Sequence, residues 1–114
     1  MTTIAIPDSV TSIGTYAFYK ATSLNSITFG VNSQLTSIGY GAFYQATSLT
    51  SIAIPDTVTS INEYAFIITT SLNSITFGEN SQLTIIGDRA FYGASALTSI
   101  AIPDLVTSIG SDAF

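Results

Sequence analysis

Asp8, Asp56 and Asp104 each follow a proline and recur every 48 residues, which makes them the first residues to test for chemistry. A column of carboxylates suggests calcium. If the chain winds into stacked coils, the three fall on alternate coils, roughly 9–10 Å apart at a strand spacing of about 4.8 Å. Calcium takes six or more oxygens within about 2.6 Å, so the spacing predicts turns, for which Pro-Asp is a common pair, and no metal site. Acid–base and nucleophilic chemistry have less to work with. The chain contains no histidine and no cysteine. Its serines lack a base partner, its carboxylates are dispersed, and it has no glycine-rich phosphate loop. These residue types call for no catalytic residue and no cofactor, and a non-enzyme is expected.

The residues suited to binding are of two kinds. Tyr19, Tyr44 and Tyr92 each follow a phenylalanine, with Ile67 in the corresponding place, and Tyr16 and Tyr64 lie close by in alternate copies. A tyrosine combines an apolar body with a polar tip, so these are candidate outer contacts. The second kind is a row of small residues: Ser26, Thr28, Ser51, Ala53, Ser74, Thr76, Ser99 and Ala101. Such a face is flat and uncharged, without the aromatic or arginine anchors that dominate tight interfaces. It suits weak, repeated or self-complementary contact.

Repetition positions both sets. IAIPDSVTSIGTYAF returns as IAIPDTVTSINEYAF, and SITFGVNSQLTSIGYGAF as SITFGENSQLTIIGDRAF. A repeat of this length cannot bury its own apolar face and must stack on its neighbours. The whole chain reads as a single array of coils, 1–25, 26–50, 51–73, 74–98 and an incomplete 99–114. Each begins with an alternating run such as Ser51-Ile52-Ala53-Ile54, the mark of a half-buried strand. Five such strands would form a parallel sheet, with Ile and Phe inward and the small residues outward. Pro7, Pro55 and Pro103 end the strands of one type; Gly30 and Gly78 open a loop two residues longer in the other, so coils alternate between 23 and 25 residues. The column Gly14, Gly39, Asn62, Gly87 and Gly110 predicts a left-handed backbone at a sharp turn. Ala17, Phe18, Ala21 and Leu24, with their equivalents, have the spacing of one face of a short helical turn, and the Phe column would make an aromatic spine. The expected fold is an α/β solenoid of about five coils, one short parallel strand plus one short helical turn per coil.

Composition limits the partners. Only Lys20 and Arg89 are basic, against seven acidic residues. Such a surface cannot neutralise a row of phosphates, which argues against nucleic acid and against anionic membrane surfaces. No apolar run approaches the 18 or more residues of a membrane span, so no membrane insertion by this segment is expected, and no signal peptide is visible. Met1 aligns with Leu49 and Leu97, and Phe114 falls in mid-repeat, so the chain reads as an excerpt of a longer array.

The string L-x-x-I-x-I-P-x-x-V-x-x-I-G-x-x-A-F, which runs from Leu24-Asn25-Ser26-Ile27 to Ser108-Ile109-Gly110-Ser111-Asp112-Ala113-Phe114, resembles the BspA-type leucine-rich repeat. The family often has cysteine where this chain has Ala21, Ala46, Thr69 and Ala94; all are small, so packing is kept. The resemblance implies a leucine-rich-repeat superhelix, an extracellular or cell-surface location, and adhesion to a host matrix protein, a cell-surface protein or copies of itself. It brings no catalytic residues. A second expectation comes from the residues: Ile4 and Ile6 at one end, and Ile100, Ile102 and Ile109 at the other, would present core to solvent. A structural subunit that assembles end to end into an extracellular filament is therefore the alternative.

Overall fold

The computed structural model describes residues 2–114. Nine strands follow one another: β1 (Thr2–Ile6), β2 (Ser12–Ile13), β3 (Leu24–Phe29), β4 (Ser37–Ile38), β5 (Ser51–Ile54), β6 (Ser60–Ile61), β7 (Ser74–Phe77), β8 (Ile85–Ile86) and β9 (Ser108–Ile109). They form two parallel sheets, β1-β3-β5-β7 and β2-β4-β6-β8-β9. The chain is a parallel-strand solenoid of about five turns, and its side chains stack in register along the axis.

The first sheet has four strands rather than the expected five, since residues 99–102 lie outside it. The cause is visible in the register. Across a 23-residue step pairing is extensive, from Thr3↔Ser26 to Ile6↔Phe29 and from Ser51↔Ser74 to Ile54↔Phe77. Across the 25-residue step it shrinks to Ser26↔Ser51 alone. The step from 74 to 99 is again the long one, and there the sheet ends. The longer GVNSQ and GENSQ loops splay the strands that follow them. The second sheet was not foreseen: Ile13, Ile38, Ile61, Ile86 and Ile109 pair through two-residue strands too short to register as an alternating pattern.

No residue in the described chain is helical, which corrects the expected helical turn in each coil. The stretch from Gly14 to Leu24 is a train of tight turns. The amides of Ala17, Tyr19 and Ala21 bond back to the carbonyls of Gly14, Tyr16 and Phe18, whereas those of Tyr16, Phe18 and Lys20 donate to Tyr40, Ala42 and Tyr44 of the next coil. A left-handed residue at every fourth position drives this alternation: Tyr16 and Lys20 (both φ 55), Gly41 and Gln45 (both φ 58), Tyr64 (φ 60) and Ile68 (φ 58). Each reverses the peptide plane, so alternate amides join coils instead of closing an α-helix. Offsets of one, four and seven fit either geometry, which is why the sequence suggested a helix.

The glycine column also needs correction, because Gly14, Gly39, Asn62, Gly87 and Gly110 are not among the positive-φ residues. Glycine serves close approach at Gly39, Gly87 and Gly110, whereas a Cβ on Gly14, in the first coil, would meet nothing within 4 Å. A Cβ on Gly39 would stand 2.5 Å from the Ile13 carbonyl oxygen, and one on Gly87 2.6 Å from the Glu63 nitrogen. Asn62 occupies the same crowded column, and its Nδ2 donates at 2.9 Å to the Ile38 carbonyl that also accepts its own amide.

The core is a stack of columns. Ile27, Ile52 and Ile75, Leu35, Val58 and Leu83, and Leu24, Leu49 and Leu72 are all buried, each contributing about 1.5–3 kcal/mol when fully enclosed. Phe18, Phe43, Phe66, Phe91 and Phe114 form the aromatic spine, with ring planes within 8° of parallel and centroids 5.0–5.5 Å apart. Thr69 is the one polar residue in its column. Where Ala21, Ala46 and Ala94 bond through their amides to the preceding Phe carbonyl, Thr69 uses its hydroxyl, at 2.7 Å from Phe66 O.

Candidate interaction surface

The strand face lies where the alternation put it. Thr28, Ser51, Ala53, Thr76, Ser99 and Ala101 are exposed, and Ser26 and Ser74 half-buried. It carries no charge and no ring. Beyond it, where β3 and β5 lose their pairing, a groove of about 480 Å³ opens over Phe29, Ile54 and Phe77, and a counterpart of about 490 Å³ opens over Phe77 and Ile102. The alternation of long and short loops cuts both.

The aspartate column belongs to turns. Pro7, Pro55 and Pro103 accept the amides of Val10, Val58 and Val106 at 3.1, 3.1 and 3.2 Å, and the carboxylates of Asp8 and Asp56 lie against Gly30 and Gly78 of the following coil. Among the described residues no three acidic, histidine or cysteine side chains gather as a metal would need. The threonines at 36, 59, 84 and 107 donate their hydroxyls to the carbonyl of the preceding threonine at 2.9–3.4 Å, so this ladder pins coil to coil.

The turn face is different. The turns bring six tyrosines, all the chain has, to one surface. Tyr16 is the hub, with its ring 5.3 Å from Tyr19, 5.6 Å from Tyr40 and 6.3 Å from Tyr44. Tyr19 also meets Tyr44, and Tyr40 meets Tyr64, at 5.3 and 5.2 Å. Every pair is edge to face, between 60° and 88°, the arrangement the ring quadrupole favours. Tyr16, Tyr19 and Tyr92 remain nearly half exposed.

Both cations of the chain join this surface. Lys20 Nζ lies 5.3 Å from the centre of the Tyr19 ring, within the range of a cation–π contact. Arg89 donates from Nη1 to the Tyr64 hydroxyl at 3.2 Å and reaches Asp112 at 3.7 Å. The bond to Tyr64 is the main reason the Arg89 guanidinium holds its proton more tightly than usual. Burial, followed by the neighbouring Tyr16 and Tyr64 phenols, raises Tyr40 above the ordinary 10.0. Between these groups is a pocket of about 480 Å³ walled by Tyr16, Tyr40, Tyr44, Tyr64, Tyr92, Ile67, Arg89 and Asp112.

Sequence reasoning placed Tyr19, Tyr44 and Tyr92 outside and missed Tyr40 and Arg89. Tyr40 occupies an irregular column (Thr15, Tyr40, Glu63, Asp88, Ser111) that no repeat pattern singles out, and its approach to Tyr16 depends on the left-handed turn. The end residues are placed as the stack requires, with Ile4, Ile6 and Ile100 half-buried and Ile102 and Ile109 exposed. Among the described residues no helix is long and apolar enough to cross a membrane.

Solved structures of bacterial leucine-rich repeat proteins share this architecture. The pneumococcal vaccine antigen PcpA superposes with a TM-score of 0.93 at 31% identity, over 98% of this chain and 27% of its own. The leucine-rich repeat protein TpLRR of T. pallidum gives 0.89 at 29% identity, over 97% of this chain and 52% of its own. A leucine-rich cell surface protein of Faecalibacterium prausnitzii gives 0.64 at 34% identity, over 100% and 36%. The chain thus spans about half or less of the length of each. No curated protein matches it in sequence. The profile of the BspA type leucine rich repeat region matches residues 1–114 in six copies, and the chain belongs to that family.

Proposed function

We propose that the chain is a non-catalytic interaction module of a cell-surface protein, and that it adheres through its turn face. One observation carries this reading: six tyrosines gather on the turn face, three exposed and three half-buried, together with both basic residues. Tyrosine supplies large, rigid, amphipathic contact area at low entropic loss, and repetition multiplies weak contacts into avidity. The names of two similar structures, a cell surface protein and a vaccine antigen, are in keeping with an extracellular or surface location. The partner on this reading is a host matrix or cell-surface protein. The test is adhesion of beads coated with the chain to matrix proteins and to intact cells. Replacing Tyr16, Tyr40 and Tyr64 together by serine should abolish adhesion, while Ser51→Arg with Ser74→Arg on the strand face should leave it. The opposite pattern would transfer the function to the strand face.

A second reading is favoured by the exposure of Ile102, Ile109 and Phe114: copies of the chain stack coil on coil into filaments. Mass by light scattering across a wide concentration range tests it. Growth that Ile102→Glu suppresses supports assembly, and a constant monomer mass removes it.

A further inference from the structure

We infer that the pocket in the turn face is a binding site for a neutral glycan chain. The inference rests on the proposed adhesive role of that face and names the chemistry of what it holds. Three features select this ligand. The first is the backbone. For Tyr16, Tyr44, Tyr64, Ile67, Arg89 and Tyr92, amide and carbonyl alike are engaged in turn or inter-coil hydrogen bonds. A peptide recognised through its main chain needs free amides and carbonyls, and these six walls offer none; only the Tyr40 amide and the backbone of Asp112, at the rim of the last coil, have no such partner. Polar recognition here falls mainly to side chains.

The second feature is the kind of side chain. Apart from Ile67, each wall is a phenol ring, a guanidinium or a carboxylate. A pyranose has an apolar C–H face and a belt of hydroxyls that both donate and accept. Ring faces match the first; phenol hydroxyls, the donor-only guanidinium and the acceptor-only carboxylate match the second. The third feature is charge. Arg89 and Asp112 stand 3.7 Å apart and offset each other, so the pocket favours neither anion nor cation, and an uncharged polyol needs no counter-charge on entering. The pocket's volume, about 480 Å³, lies in the range of roughly 300–1,000 Å³ of small-molecule sites.

The test uses the 114-residue chain with its tyrosine rings followed by NMR. Mannotriose, cellotriose, chitotriose and N-acetyllactosamine are titrated to high millimolar concentration, and a proline-rich decapeptide serves as the competing occupant. At least one saccharide is expected to shift the resonances of Tyr16, Tyr40 and Tyr64 with millimolar affinity. Tyr40→Ser and Arg89→Gln should each weaken binding about tenfold, and Val31→Ser on the distant loop should not. Silence of the tyrosines toward all four sugars overturns the inference, as does binding that both pocket variants leave intact. Adhesion to cells stripped of glycans separates the two readings. Persistence of tyrosine-dependent adhesion, or binding of the decapeptide alone, defeats the glycan and leaves the adhesive face standing. Adhesion that survives the triple tyrosine variant defeats both.

Discussion

Two sets of aromatic rings climb the turns within three residues of each other in sequence, and each obeys a different rule. Phe18, Phe43, Phe66, Phe91 and Phe114 point inward and stack nearly parallel, within 8°. The tyrosines beside them point outward and meet edge to face at 60–88°. Isolated rings prefer the second geometry or an offset stack. The coil rise of about 4.8 Å and the filled core impose the offset stack on the phenylalanines. Outside, the rings are less confined, and quadrupole attraction favours their edge-to-face angles. The inner ladder therefore reports what the backbone repeat dictates, and the outer one what the side chains choose. Only the outer ladder is free to differ from coil to coil, as it does at Ile67.

The sharpest way to break this contrast is to delete one ring from each ladder. Phe66→Ala, at a fully buried position between two stacked rings, should destabilise the chain by about 3–5 kcal/mol. Tyr40→Ala, half-buried among its neighbours, should lower stability by about 1–2 kcal/mol. Urea unfolding of both variants measures the gap, and equal losses would mean that the tyrosines are part of the core.

Smaller effects sharpen the comparison at the backbone that the two ladders share. Thr69→Val removes the hydroxyl that replaces an amide on the Phe66 carbonyl, and should lower stability by about 1–2 kcal/mol. Thr69→Ala, which restores the residue found at 21, 46 and 94, should be milder, and a reversed order would show that the hydroxyl bond adds no stability. Ile68 is a β-branched residue held at φ 58, a conformation that disfavours such side chains by roughly 1–2 kcal/mol. Ile68→Asn should raise stability by about 1 kcal/mol in thermal unfolding.

The smallest effect is alkaline. The Tyr40 phenol ionises above the ordinary 10.0 when folded, so as pH rises past that value the unfolded chain loses its proton first. Stability that is complete below pH 10 then declines above it, because the folded state binds more protons. Tyr40→Phe should remove part of that decline in pH-dependent melting, and an unchanged slope would assign the shift elsewhere.

Much of the inner ladder was legible in the sequence. Ile27, Ile52 and Ile75 alternate with small residues, and Phe43, Phe66 and Phe91 recur at fixed distances, so strand, core and stack follow from period alone. The turns were not legible. Tyr16, Lys20, Gln45, Ile68 and Arg89 adopt a left-handed backbone without the glycine or asparagine that would announce it. Inter-coil hydrogen bonds hold them there, and those bonds leave no mark on composition. The tyrosine surface was half legible for the same reason: Tyr19, Tyr44 and Tyr92 follow the Phe column, but the place of Tyr40 depends on the turn geometry. The glycine column was visible, but the reason for Gly39, Gly87 and Gly110, one backbone crowding the next, lies between coils.

The register of the coils has a mechanical consequence. Strand pairing and the alternate turn amides all link one coil to the next, so a tensile load along the axis opens them like a zipper, one row at a time. Each coil that peels away releases 23 or 25 residues, about 80 Å of extended chain at roughly 3.4 Å per residue. An array wound in this way would lengthen in steps of that size under load rather than yield all at once.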